Sequence, residues 1–218
     1  MKNFGTPTHL ATCVLICFFL VTTIAAPAQS TLHQYVRKYR KIEASQDQVK
    51  KLSRYNYLIE YFSAFAFFKP KHKVNPDFIR SLILAESNAN PRARSSKDAR
   101  GLTQIIYPTG KQAAKELAAK GINFRHVSKR KLLNLKPDDL YNPALNILLA
   151  CYLIAKYNYY FQGKLDLVVS AWNAGENSIV NNKPPNYRET LNLIGKVNGY
   201  FVYFLQRKQG KVKYADRR

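Results

Sequence analysis

Acidic residues are scarce in this chain: 13 Asp and Glu stand against 35 Lys and Arg, giving a formal net charge of +22 over 218 residues. That imbalance excludes a neutral surface and points to polyanionic surroundings, for which nucleic acid, an anionic membrane and an acidic cell-wall polymer all qualify. Cysteine is almost as rare. Of three, Cys13 and Cys17 fall in an N-terminal leader. Cys151 remains alone in an apolar stretch, so a buried, inert thiol is expected rather than an intramolecular disulfide. The four histidines, His9, His33, His72 and His126, are scattered and lack cysteine neighbours at ligand spacing. Neither a metal nor a cofactor is expected. Convincing period-two alternation and internal repeats are also missing, which argues against a sheet protein or a solenoid.

What is present begins with the leader. Lys2 supplies a positive start, the stretch 10–26 is apolar and uncharged, and Ala26-Pro27-Ala28 resembles a cleavage box before Gln29. Residues 1–28 therefore read as a secretory signal peptide, with an uncleaved N-terminal membrane anchor as the competing reading. Export favours a membrane or wall over nucleic acid as the anionic partner. Residues 29–54 are basic and read as a solvated helix or a flexible arm. Residues 55–205 carry the apolar patterning of one domain, and 206–218 form a basic tail expected to be mobile.

Inside the domain the periodicity is helical throughout. Leu58, Ile59, Phe62, Phe65 and Ala66 predict a first helix over 57–68, ended by Lys69-Pro70. Asn75-Pro76 is a good N-cap and first-turn pair, and Asp77 suits the positive end of a helix dipole. A polar loop over 88–100 follows, then a helix over 109–120 with Gly121 beyond it. The segment 122–139 reads as a basic, irregular surface excursion with some helix and at most a small hairpin. Asn142-Pro143 opens the most apolar helix, which should lie centrally. Helices over 166–173, closed by Gly175, and over 189–207 complete a mainly α fold of six to eight helices.

Glu86 is the odd residue. It falls on the stripe formed by Ile79, Leu82 and Ile83, seven, four and three residues after them respectively. Desolvation and a place near a helix C-terminus both disfavour its charged form, the condition a general acid needs near neutral pH. Two readings fit the residue alone: a buried carboxyl bonded to backbone or Arg, and a proton donor.

Five ordered motifs bear on that choice. Glu86-Ser87, Asn90-Pro91-Arg92-Ala93-Arg94-Ser95, Gly101-Leu102-Thr103-Gln104, Asn142-Pro143-Ala144-Leu145-Asn146-Ile147 and Ala171-Trp172-Asn173-Ala174-Gly175 are followed by Arg188-Glu189-Thr190. Together they resemble the soluble lytic transglycosylases of the goose-type lysozyme clan, over about residues 55–205. The resemblance implies a lysozyme-like helical domain with a catalytic cleft. It also implies cleavage of the MurNAc–GlcNAc β-1,4 bond of peptidoglycan, leaving a 1,6-anhydro end. In that family one Glu acts as acid and then as base, and Glu86 matches it. Ser95 and Gln104 would then hydrogen-bond the saccharide, Asn173 would position it, Trp172 would form an apolar wall, and Glu189 would support the site and bind substrate. Glycan strands are the implied partner, and a cell-envelope secretion machine is a further candidate partner for small members. A non-catalytic peptidoglycan-binding scaffold and a lysozyme-type hydrolase are the alternatives.

Several positions depart from the family pattern. Thr103 stands at a usual Met, Ile106 at a substrate-facing Met of some members, Trp172 at a Tyr and Ala150 at a helix-packing Gly. Leu193 stands where many members have a Tyr that supports the acid, leaving Tyr187 as the substitute suggested by sequence.

Overall fold

The structure, a computed structural model, describes residues 28–70 and 72–215. The leader reading falls almost wholly outside the described residues, as do Cys13 and Cys17. Nine α-helices and two short 3₁₀ turns make up the described chain, joined by loops that form only isolated bridges.

The centre is a helix over Pro143–Tyr160, numbered α7 below. Asn142 caps it by accepting from the Leu145 amide at 3.2 Å, with Pro143 in the first turn. Leu145, Ile147, Leu148, Leu149, Cys151 and Ile154 are buried around its circumference, which accounts for its weak amphipathicity. In chain order, α1 is Ala28–Lys38, α2 Gln46–Ser53, α3 Asn56–Ser63, α4 Pro76–Ser87, α5 Tyr107–Ala119, α6 Lys129–Leu133, α8 Leu165–Ala174 and α9 Arg188–Ala215. Helices α3, α4, α5 and α8 pack on α7, while α9 lies along α1, α4 and α8.

α4 starts as its sequence directs. Asn75 accepts from the Asp77 amide at 2.8 Å and Pro76 fills the first turn. Asp77 does more than complement the dipole. It is buried, Arg80 Nη1 reaches its Oδ1 at 2.6 Å, and Lys208 from α9 stands 2.7 Å from Oδ2. At the opposite end of α4 lies Glu86, and across from it lies Glu189 at the start of α9. The two helices are therefore antiparallel, and α9 spans the full length of α4.

Four expectations need correction. Helix α3 ends at Ser63, not near Lys69, because the aromatic cluster of Phe65, Phe67 and Phe124 folds back as a loop onto the core. Of the two readings for residues 29–54 the helical one holds, in α1 and α2, but α1 is docked rather than simply solvated: it packs on α9 where Gly195 and Gly199 leave room for the backbone of Tyr35 and Tyr39. The stretch 122–139 holds some helix as expected, α6, and is largely exposed, but it is anchored to the core rather than lying wholly on the surface, since Phe124, Val127, Leu132 and Leu135 are buried. Helix α9 runs on through Ala215, so most of the predicted mobile tail is helical. Cys151 is buried as expected, 3.7 Å from the Ser63 hydroxyl, and burial pushes its thiol up to about 12.

Candidate active site

A cleft of about 410 Å³ opens between the end of α4, the loop over 88–106, and helices α7, α8 and α9. Glu86, Ser95, Gln104, Trp172, Asn173 and Glu189 all line it. Residues up to 103 positions apart in the chain thus meet around one carboxylate.

Glu86 occupies the last turn of α4 and is half-buried. Trp172 Nε1 donates to its Oε1 at 2.8 Å. Burial is the dominant influence on the acid and raises it to about 7. The indole N–H opposes that shift, as does the charge of Lys196, while the charge of Glu189 reinforces it. The acid thus titrates near neutral pH, where it can both give and take a proton.

Trp172 is more than the apolar wall expected from sequence, because its N–H is spent on the acid. Tyr187, the suggested substitute for a supporting Tyr, is exposed and does not line the cleft. Leu193 is buried in the hydrophobic core. The donor contacting Glu86 is thus supplied by α8.

The loop wall is held by a polar clamp that sequence reasoning did not single out. The buried Asn146 of α7 accepts from the Thr103 amide at 3.0 Å and from its hydroxyl at 2.8 Å. Its Nδ2 donates to the carbonyls of Arg100 at 3.0 Å and Leu140 at 2.9 Å. All four bonding positions of the carboxamide are used. This explains Thr103: a hydroxyl at that position becomes a third strut between loop and clamp. Gly101 is required beside it, with φ +80° and the Leu140 carbonyl and Asn146 side chain where a Cβ would stand. The signal available in sequence was the Asn of the N-P-x-x-N helix start, but no spacing rule says what it holds.

Gln104 lies in the turn after Gly101 at φ +53°, three residues before α5 begins, rather than at a helix start. Its Nε2 donates to the carbonyls of Ala93 and Gly101, which turns the carboxamide toward the cleft. Ser95 Oγ accepts from the amides of Lys97 and Ala99, fixing the loop while its hydroxyl proton stays available. Asn173 Oδ1 accepts from the Thr190 hydroxyl at 2.6 Å, tying α8 to α9. Glu189 is exposed and pairs with Lys97 at 2.6 Å across the cleft mouth. Among the described residues no cluster of His, Cys, Asp and Glu could hold a metal ion.

Comparison with known proteins bears on the fold and the family. The family model described as the transglycosylase SLT domain matches residues 63–193, more than half of the chain. A protein of Haemophilus influenzae named for a soluble lytic murein transglycosylase is 26% identical over 168 residues, covering 73% of this chain and 26% of that protein. An inactive mutant of the lytic transglycosylase Slt from Pseudomonas aeruginosa shares the fold at TM-score 0.52 and 19% identity, over 73% of this chain and 24% of the other. The 70 kDa soluble lytic transglycosylase of Escherichia coli does so at TM-score 0.55 and 17% identity, over 81% and 29%. The chain spans only about a quarter of the length of these relatives. Its helical domain has their fold, and by the match of the family model the chain belongs to the transglycosylase SLT domain family.

Proposed function

We propose that the chain is a peptidoglycan lytic transglycosylase in which Glu86 is the sole proton-transfer residue. One observation carries the reading: a half-buried carboxyl in the cleft, held near 7 by burial and touched by the Trp172 N–H. The protonated acid gives its proton to the glycosidic oxygen as the bond from C1 of MurNAc to that oxygen breaks. The C6 hydroxyl of the same sugar then attacks C1 and passes its proton to the Glu86 carboxylate. Bonds and protons balance without water, and the acid is regenerated. A two-carboxylate glycosidase needs a second acid as nucleophile or base. Here the nucleophile belongs to the substrate and is already positioned, so Glu189 is free to hold the rim.

Ser95, Gln104 and Asn173 bind the sugar in this reading, each fixed by backbone or side-chain bonds before substrate arrives. The enzyme works outside the cytoplasm, as the leader implies, and its positive surface favours anionic wall. Purified protein incubated with sacculi is expected to release muropeptides with 1,6-anhydro ends, read by mass spectrometry. Glu86→Gln should lower that release by about 10²–10⁴-fold while preserving the circular dichroism spectrum. Reducing ends carrying oxygen from labelled water would instead identify a hydrolase. Co-sedimentation with sacculi and no products would identify a wall-binding scaffold.

A further inference from the structure

Among 35 Lys and Arg, a single cation lines the cleft in the described residues, Lys97. It sits at the tip of the loop over 94–100, and its Nζ lies 2.6 Å from Oε2 of Glu189 on the opposite wall. Both side chains are open to solvent, at 71% and 62% exposure. An ion pair so exposed contributes little to stability, so exchanging one carboxylate for another costs Lys97 little. The rest of the polar lining is neutral or acidic: Ser95, Gln104, Thr109 and Asn173 beside Glu86 and Glu189. The charge of Lys196 reaches Glu86, but Lys196 does not line the cleft, so Lys97 is the lining cation that a ligand bringing negative charge meets.

We infer that Lys97 is a specificity residue that takes a carboxylate of the entering saccharide in place of Glu189. The cleft thereby selects muramyl strands over neutral strands built only of N-acetylglucosamine. This deepens the peptidoglycan reading above and rests on it. Muramic acid differs from glucosamine by a 3-O-lactyl group, whose carboxyl is free in a peptide-free strand and amide-linked when a stem peptide is attached. The stem brings carboxylates of its own, at greater distance from the sugar ring. The shared chemistry is a carboxylate at the cleft mouth.

Trp172, the only tryptophan of the chain, lines the same cleft, so its fluorescence reports occupancy without turnover. The Glu86→Gln protein, alone and combined with Lys97→Gln or Lys97→Arg, is titrated with three strands of equal length. One is peptide-free with free lactyl carboxylates, one is the same strand with those carboxyls converted to methylamides, and one carries stem peptides. Lys97→Gln should weaken binding of the free-carboxylate strand about fivefold and that of the methylamide strand less than about twofold, with Lys97→Arg restoring the difference. A loss confined to the peptide-bearing strand also supports the assignment and identifies the stem as the carboxylate source. Equal loss on free and methylamide strands, no loss on any, or no fluorescence response to any strand would overturn it. Catalysis is read separately by the muropeptide products of the wild-type protein, so the two readings fail independently.

Discussion

At Glu86, protonation and folding are tied together. The folded chain holds this proton up to about pH 7, whereas the carboxyl ordinarily releases it near 4.5. The folded pKa is the higher one, so the native state gains relative to the unfolded chain where the acid is protonated. That advantage is complete below about 4.5 and is lost as pH rises through about 7. Glu86→Gln, neutral at every pH, should match the wild type in urea denaturation near pH 4.5. It should become more stable than the wild type by about 1–3 kcal/mol near pH 8. A stability difference flat in pH would mean that the acid is not desolvated. Removing the indole donor acts in the opposite sense to removing the acid: Trp172→Phe takes away a bond that favours the carboxylate, so the pH at which turnover declines should move upward.

At the scale of elements, the parts legible in the sequence were those written in local chemistry. Asn75-Pro76 and Asn142-Pro143 announce α4 and α7, and Gly175 closes α8, because caps and turns are chosen by residues a few positions apart. Glu86 announced itself by interrupting an apolar stripe, and the ordered motifs pointed to residues that do share one cleft. What was hidden depends on residues far apart. The docking of α1 on α9 joins a short apolar pattern, Leu32 and Tyr35, to the two missing side chains of Gly195 and Gly199, and only the first leaves a trace in local sequence. A Cβ at Gly195 would stand 2.6 Å from the Tyr35 carbonyl oxygen, backbone that cannot turn aside. Gly195→Ala should therefore destabilise by about 1–3 kcal/mol despite the better helix propensity of Ala, measured by urea denaturation. Early proteolysis between residues 28 and 45 should accompany it, and an unchanged or raised stability would mean that α1 is not seated there. The segment 122–139 was only partly legible for a related reason: Phe124, Val127 and Leu135 enter the core from irregular turns and Leu132 from the five-residue α6, so no sustained helical period marks their burial.

At the scale of the whole molecule, charge and chemistry are separated. The chain carries +22, yet its cleft has one cation against two acids. The surface can hold an anionic polymer loosely while the cleft reads the sugar closely. Binding to sacculi should accordingly fall severalfold between about 50 mM and about 500 mM salt, as surface charges are screened within roughly 10 Å or less. Fluorescence titration with short strands should change far less over the same range. Equal salt sensitivity in both assays would put the main electrostatic attraction in the cleft itself. No described helix is long and apolar enough to cross a membrane.

The Asn146 clamp makes the two jaws of the cleft unequal. One jaw, formed by α4, α8 and α9, is packed helix over its whole length. The other is nailed to Asn146 at residues 100–103 by three hydrogen bonds and closed at its base by the bond from the Gly101 amide to the Ala93 carbonyl. The stretch 94–99 lies beyond that base, with Ser96 and Lys97 at its exposed tip. Changes of side chain at this fingertip should leave the Trp172 bond to Glu86 in place and reach the acid only through the charge of Glu189. The proposed reading head and the proposed catalytic body are thus mechanically separable, and Ser96-Lys97 is the place to try rewriting a preference.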